Sequence, residues 1–269
     1  MKKIFSVLFV AVLAVSCGTA VRAPRGGKVA VVAHRGFWNC EDGGYSENSI
    51  ASLSAARKYG LWGSECDIHL TSDDVIIVNH DASIKGKSIH ENTFADMSSC
   101  LLPNGEKRPS FREYLDCAAR CRTTKLVVEL KKQDNEERED RLVELTLNML
   151  REAGMFSPDR VAFISFSHHM CLRVAALAPG FINQYLSGDM EPEILHEEGI
   201  NGIDYHMSVF RTHPDWVGRA HKLGMSVNVW TVNEEKDIRD MIELGVDAVT
   251  SNEPLLVRSI LGRREYRLK

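Results

Sequence analysis

The 269-residue chain predicts a single-domain α/β protein, a (β/α)8 TIM barrel, on three observations. Apolar β-branched runs alternate with helical stretches about eight times, which argues for a parallel sheet, and eight repeats close a barrel. The length suits one such domain of roughly 250 residues. No glycine-rich dinucleotide loop follows the first strand, which disfavours an open doubly wound sheet. Composition agrees: 44% hydrophobic and 26% charged residues supply a sizeable core and exclude a disordered chain. With 33 Lys+Arg against 37 Asp+Glu there is no basic excess to suit nucleic acid as a partner.

Residues 28–33 are a short apolar run ending at His34. Residues 49–59 have helical periodicity and stop at Gly60. Residues 62–70 and 75–78 are strand-like and count together as one barrel unit. The stretch 82–108 is irregular and is expected to lie over the barrel mouth. A helix at 110–119 and a strand at 126–130 precede a long amphipathic helix, 136–153, closed by Gly154. Strand 161–165, helix 168–177, strand 182–186 and short helix 192–198 follow. Strand 200–205 leads to helix 214–223. Strand 226–230, helix 235–244, strand 246–250 and helix 254–261 complete the pattern, leaving 263–269 as a short C-terminal tail.

The first residues read differently. Lys2 and Lys3 precede an apolar run at 4–15, too short to span a bilayer, which takes roughly 20 residues. Leu13-Ala14-Val15-Ser16-Cys17 resembles the lipobox of bacterial lipoproteins, which implies a signal peptide at 1–16 and lipidation of Cys17. Residues 17–27 become a tether, residues 28–262 the barrel, and the protein is placed in the bacterial cell envelope on a membrane anchor. Removing 16 of the 269 residues leaves 253, with 31 Lys+Arg against 37 acidic residues and a formal charge of −6. An oxidising compartment permits disulfides among Cys40, Cys66, Cys100, Cys117, Cys121 and Cys171. They show no C-x-x-C or zinc-type spacing, so no metal–thiolate site is expected. Cys117 and Cys121 fall one helical turn apart and read as two apolar positions.

Polar residues stand where a packed barrel would not tolerate them idly. Alternate residues of a strand share a face, so Glu65 and Asp67 project together, as do Glu129 and Lys131 on the next barrel strand. Three converging carboxylates repel one another, and burying them unpaired is costly. One divalent cation relieves both, and oxygen-only ligands suit Mg²⁺ or Ca²⁺. A salt-bridge cluster of Glu129 with Lys131 is the competing structural explanation. His34-Arg35-Gly36 and His80-Asp81 follow strands directly, on the C-terminal face where barrel active sites assemble. Two histidines suit acid–base work near neutral pH. Arg35 and Lys131 suit an anionic phosphoryl group. Trp230 could wall the pocket, His206 and Tyr205 could touch substrate, and His69 shares a face with Glu65 and Asp67. Trp38 and Phe37 follow the His34 loop and could contact a substrate, and His168, His169, His196, His213 and His221 read as helix-surface residues.

These pieces form a pattern. Ala33-His34-Arg35-Gly36, Ser46-Glu47-Asn48-Ser49, Glu65-Cys66-Asp67-Ile68-His69-Leu70-Thr71, Asn79-His80-Asp81 and Val128-Glu129-Leu130-Lys131 come in this order. Val229-Trp230-Thr231-Val232-Asn233 and the run from Gly245 to Pro254 follow. In order and spacing the set resembles the glycerophosphodiester phosphodiesterase family, from Val29 to Leu261. The resemblance implies a TIM barrel hydrolysing glycerophosphodiesters to glycerol 3-phosphate and an alcohol. It implies Glu65, Asp67 and Glu129 as metal ligands, His34 and His80 as the acid–base pair, and Arg35 and Lys131 at the phosphate. Glu47 matches a glutamate close to the site. Similar enzymes use the glycerol 2-hydroxyl as internal nucleophile, giving a cyclic phosphate that water opens. Three departures stand out: Ser46 replaces a proline, Asp73-Asp74 lacks a turn glycine, and the stretch after Asp81 lacks an arginine- and glycine-rich run. Two other functions fit parts of the pattern: a phospholipase-type phosphodiesterase on membrane lipids, and a catalytically silent lipoprotein that binds a ligand.

Overall fold

The computed structural model describes residues 28–267. The expected signal peptide, Cys17 and the tether lie outside them. In chain order the elements are β1 (Ala30–Ala33), α1 (Ile50–Lys58), β2 (Gly63–Leu70), β3 (Ile76–Val78), β4 (Ser83–Ile84), β5 (Lys87–Ser88), α2 (Phe94–Ser98) and α3 (Phe111–Ala119). They continue with β6 (Lys125–Leu130), α4 (Glu136–Glu152), β7 (Val161–Ser165), α5 (His168–Leu177), β8 (Ile182–Tyr185) and α6 (Pro192–Glu197). The last are β9 (Gly202–His206), α7 (Met207–Thr212), α8 (Asp215–Lys222), β10 (Ser226–Trp230), α9 (Glu235–Leu244), β11 (Ala248–Ser251) and α10 (Pro254–Arg267).

Eight parallel strands, β1, β2 and β6 to β11, close into a barrel. Val31 pairs with Val249 on one side of β1, and Val32 with Gly63 on the other. Closure leaves these strands no edge, and every β2 residue is buried. Inside the barrel Ala30, Val32, Val127, Ala162, Ile164, Ile182 and Ala248 pack into one cluster. Gly202 keeps room in that lumen: a Cβ there would stand 2.4 Å from Ser226 Oγ and 2.6 Å from Gln184 Cγ. Helices seal the outside, in part because their ends are satisfied. Ser49 and Ser52 exchange side-chain and backbone hydrogen bonds as a capping box at α1, and Ser110 and Glu113 do the same at α3. Asn135 caps α4, whose first turn carries Glu136, Glu137 and Glu139 against the helix dipole.

Four regions differ from expectation. β3 runs antiparallel onto β2, with Ile68 opposite Val78, so it extends one barrel strand outside the closed sheet. The turn between them puts Asp74 at φ +58°, a left-handed conformation that aspartate tolerates and glycine takes without strain. The missing turn glycine therefore leaves the backbone path intact. The stretch 82–108 is not wholly irregular: β4, β5 and α2 form there, with Ile84, Ile89 and Met97 packed on Ile77 as a separate small core. Two-residue strands and a five-residue helix are too short to show periodicity. α7 follows β9 without a loop, and α10 continues to Arg267, through part of the expected tail.

Candidate active site

Glu65 and Asp67, two apart on β2, turn the same way, and Glu129 on β6 stands in register beside Asp67. A ligand oxygen from each lies within 4.8 Å of the others. All three are buried. The Arg35 backbone N–H donates to Glu65 Oε2 at 2.6 Å, while Glu65 Oε1 has no hydrogen-bond partner. Asn48 Nδ2 donates to Asp67 Oδ2 at 2.8 Å. Lys131 Nζ lies 3.2 Å from Asp67 Oδ1 and 2.7 Å from Glu129 Oε1. The Glu129–Lys131 bridge thus exists, yet one cation does not balance three carboxylates.

Burial, then Asp67 and Glu129, raise the Glu65 carboxyl well above its usual range. Burial, then Asp67, push Glu129 up to about 7 against the pull of Lys131. Burial also disfavours ionised Asp67, but Lys131, His80, Asn48 and Arg35 outweigh it and bring it down to about 2.

Arg35, two residues past the end of β1, sits at φ +55°, and Gly36 follows at φ +79°. A Cβ on Gly36 would stand 2.3 Å from Ser52 Oγ, so this turn can press against the start of α1 only with glycine there. The Arg35 guanidinium pairs with Glu47 and lies 3.8 Å from Asp67 Oδ2. Glu47, half-exposed, is thus joined to the cluster through Arg35.

His34 Nδ1 donates to Asn252 Oδ1 at 2.9 Å, which leaves Nε2 as its acceptor. Burial, then Arg35, lower its pKa to about 4 against Asn252, Asp67 and Glu47. Asn252 also accepts from Trp38 Nε1 at 3.3 Å, and its own N–H donates to Asn233 Oδ1 at 2.9 Å. His80 keeps Nδ1 2.8 Å from the Asp81 carboxylate. His69 lies beneath it: Nε2 meets the His80 carbonyl oxygen at 3.1 Å and must donate, since a carbonyl only accepts.

The remaining candidates separate. Trp230 Nε1 donates to the Asp204 carbonyl at 2.8 Å, and its ring meets Phe166 at 5.5 Å and His206 at 5.4 Å, forming an aromatic rim. Tyr205 does not reach the mouth: it is buried, and its hydroxyl donates to the Met190 carbonyl. Phe37 is likewise core, edge-on to Tyr59 at 5.3 Å. His168, His169 and His221 pair with Glu198, Asp140 and Asp247 on the outer surface. Asn48 and Asn252 belong to quoted motifs, but nothing local marked them as partners of Asp67 and His34. Phe166 carried no signal at all.

A buried carboxylate triad with two histidines and two cations, at the C-terminal mouth of a (β/α)8 barrel, defines the place where active sites of this fold assemble. The glycerophosphoryl diester phosphodiesterase family matches residues 34–256, and the chain belongs to that family of phosphodiester-hydrolysing enzymes. A glycerophosphodiester phosphodiesterase from Parabacteroides distasonis, of known crystal structure, is 39% identical with a TM-score of 0.85. The match covers 88% of this chain and 98% of that one. One from Caldanaerobacter subterraneus is 24% identical over 243 residues, 84% of this chain and 95% of the relative. A phosphodiesterase from Oleispira antarctica, solved with the product sn-glycerol-3-phosphate, shares the fold with a TM-score of 0.72 at 22% identity, over 87% and 97% of the two chains.

Proposed function

We propose that this mouth hydrolyses glycerophosphodiesters to glycerol 3-phosphate and an alcohol, with one divalent cation held by Glu65, Asp67 and Glu129. The convergence of those three buried carboxylates within 4.8 Å carries the reading. The site fits a hard cation: its donors are all oxygen, Glu65 Oε1 has no other partner, and Glu65 and Glu129 resist ionising without one. The product found in the Oleispira antarctica enzyme supports the substrate class. Mg²⁺ or Ca²⁺ there would neutralise the phosphoryl oxygens and help orient the attacking hydroxyl.

The residues divide the proton work. His34, kept neutral by burial and held through Nδ1, takes the proton of the glycerol 2-hydroxyl on Nε2 as that oxygen attacks phosphorus. His80, its ring steadied against Asp81, protonates the departing alcohol oxygen. A cyclic phosphate results. The roles then reverse: His80 takes a proton from water as it attacks, and His34 returns one to the 2-oxygen. Arg35 and Lys131 place positive charge beside the non-bridging oxygens, and the Trp230 rim borders the substrate.

Purified protein with Mg²⁺ or Ca²⁺ should release glycerol 3-phosphate from glycerophosphocholine or glycerophosphoethanolamine. His34→Ala should lower kcat by about 10²-fold or more. Unchanged turnover in that variant, or after exhaustive chelation, overturns the mechanism.

The chain start supports a second proposal, export and anchoring through lipidated Cys17 in the cell envelope. Cys17→Ser should move the protein from the membrane pellet to the soluble fraction of expressing cells. A Cys17→Ser protein that still sediments with membranes contradicts it.

A further inference from the structure

A cavity of about 640 Å³ opens between α1 and α3, on the outside of the barrel. Two cysteines, Cys117 and Cys121, and Arg57 line its wall. Arg57 Nη1 donates to the Cys117 carbonyl at 2.7 Å and lies 3.2 Å from Cys117 Sγ. Cys121 Sγ, on the same cavity wall, stands 3.3 Å from Thr123 Oγ1, near enough to Arg57 for the guanidinium to favour its thiolate. Cys117 belongs to the last turn of α3. Beyond the helix end the Cys121 N–H donates to the Ala118 carbonyl at 3.1 Å, so the chain is still turning as it places Cys121 one turn below.

Helical neighbours one turn apart keep their Cβ atoms about 5–6 Å from each other. A disulfide needs about 3.5–4.5 Å between them. Cys121 lies past the last helical residue, so it can make up that difference without unwinding α3. The spacing that reads as two apolar positions in the sequence becomes two free thiols on one cavity wall, Cys117 held at Arg57. Arg57 and Arg120 face the cavity with Glu113 and Asp116, Lys58 being held by Asp42, and the two guanidiniums are the groups that a visitor's carboxylate would meet.

We propose that Cys121 and Cys117 form a redox-active dithiol, with Cys121 the attacking sulfur and a small carboxylate-bearing disulfide as oxidant. The Cys121 thiolate attacks one sulfur of the visiting disulfide. That S–S bond breaks, one thiolate leaves, and Cys121 is held in a mixed disulfide. Cys117 then loses its proton to solvent and attacks the Cys121 sulfur, expelling the second thiolate. Two protein thiols are oxidised to one disulfide, and one small disulfide is reduced to two thiols.

Reactivity follows the thiolate, and the surroundings select Cys121. Partial burial pushes its thiol up, but the Thr123 hydroxyl, the backbone N–H groups of Thr123 and Thr124, and Arg57 outweigh burial and bring it down to about 6. Cys66 and Cys171 lie buried with their thiols pushed up. Cys40 is also raised, chiefly by desolvation.

The full chain, reduced and desalted, is incubated with oxidised glutathione at pH 7 and mapped by peptide mass. Wild type should acquire a Cys117–Cys121 disulfide. Cys117→Ser should stop at glutathione on Cys121, and Cys121→Ser should leave Cys117 unmodified over the same time. Arg57→Met should slow the first step by about ten-fold. Peptide-resolved alkylation rates in the unsubstituted chain test the same ordering without any variant: Cys121 should react at least ten-fold faster than Cys40 and Cys100. Equal alkylation rates, or a wild-type mixed disulfide on Cys121 that never passes to Cys117, would overturn the proposal.

Discussion

His80 owes its place to a residue that touches no carboxylate of the cluster. The His69 ring donates to the His80 carbonyl from below, and His69 itself is walled in by His90, ring centroids 5.9 Å apart. His90 in turn pairs with Asp134 at 2.6 Å. His69→Leu removes the donor and should lower kcat by about ten-fold with KM little changed, whereas His69→Gln keeps an N–H and should recover most of the loss. Steady-state kinetics of the two variants check this, and equal losses would show that the hydrogen bond is not what matters. At this scale the sequence showed residue types but not partners. The alternation of Glu65, Asp67 and His69 is visible because strand geometry is local. That His69 supports a backbone oxygen eleven residues away depends on the β2–β3 hairpin, which periodicity alone does not reveal.

Elements were legible where their ends are encoded by side chains. Ser49 before α1, Asn135 before α4 and Gly245 after α9, at φ +96°, stand where the expected helices start or stop. Ser49→Ala should break the capping box and cost about 1 kcal/mol, measured by urea unfolding. Part of that cost should reach the site, because the cap residue Ser49 directly follows Asn48, which holds Asp67. The insertion was illegible for the opposite reason. Its order comes from Ile84, Ile89 and Met97 meeting Ile77, contacts made in space by residues that share no repeat.

For the whole molecule, a cation should act on stability as well as on catalysis. Without one, protons on Glu65 and Glu129 relieve the cluster. Glu129, raised to about 7, holds in the folded chain a proton that the unfolded chain releases near its usual value, so its contribution to stability falls as pH rises through that window. His34 and His69, both lowered to about 4 chiefly by burial, act oppositely, but only up to about 6.5. Above that pH Cys121, lowered to about 6, still opposes the carboxylates, so their share is read in a Cys121→Ser background, where the metal-free chain should lose stability as pH rises from 6.5 through 7. Below about 7 a cation must displace the Glu129 proton, so its affinity should fall by up to about ten-fold per pH unit. Saturating Mg²⁺ or Ca²⁺ should therefore raise Tm more at pH 8 than at pH 6. Thermal melts at the two pH values, with and without cation, check this. An equal or reversed increment would remove the cation from the triad.

The sequence by itself determined the order of strands and helices, their caps, and the residue types at the strand ends, because each is set within a few bonds along the chain. Eight such units leave few ways to bury their apolar faces, so the barrel was legible as well. Only the tertiary structure decided which distant groups meet: Asn252 beside His34, 218 residues apart, Lys131 between Asp67 and Glu129, and Arg57 on Cys117 across from α1 to α3. Those meetings depend on barrel closure and strand register, which fix positions in space that no local period specifies.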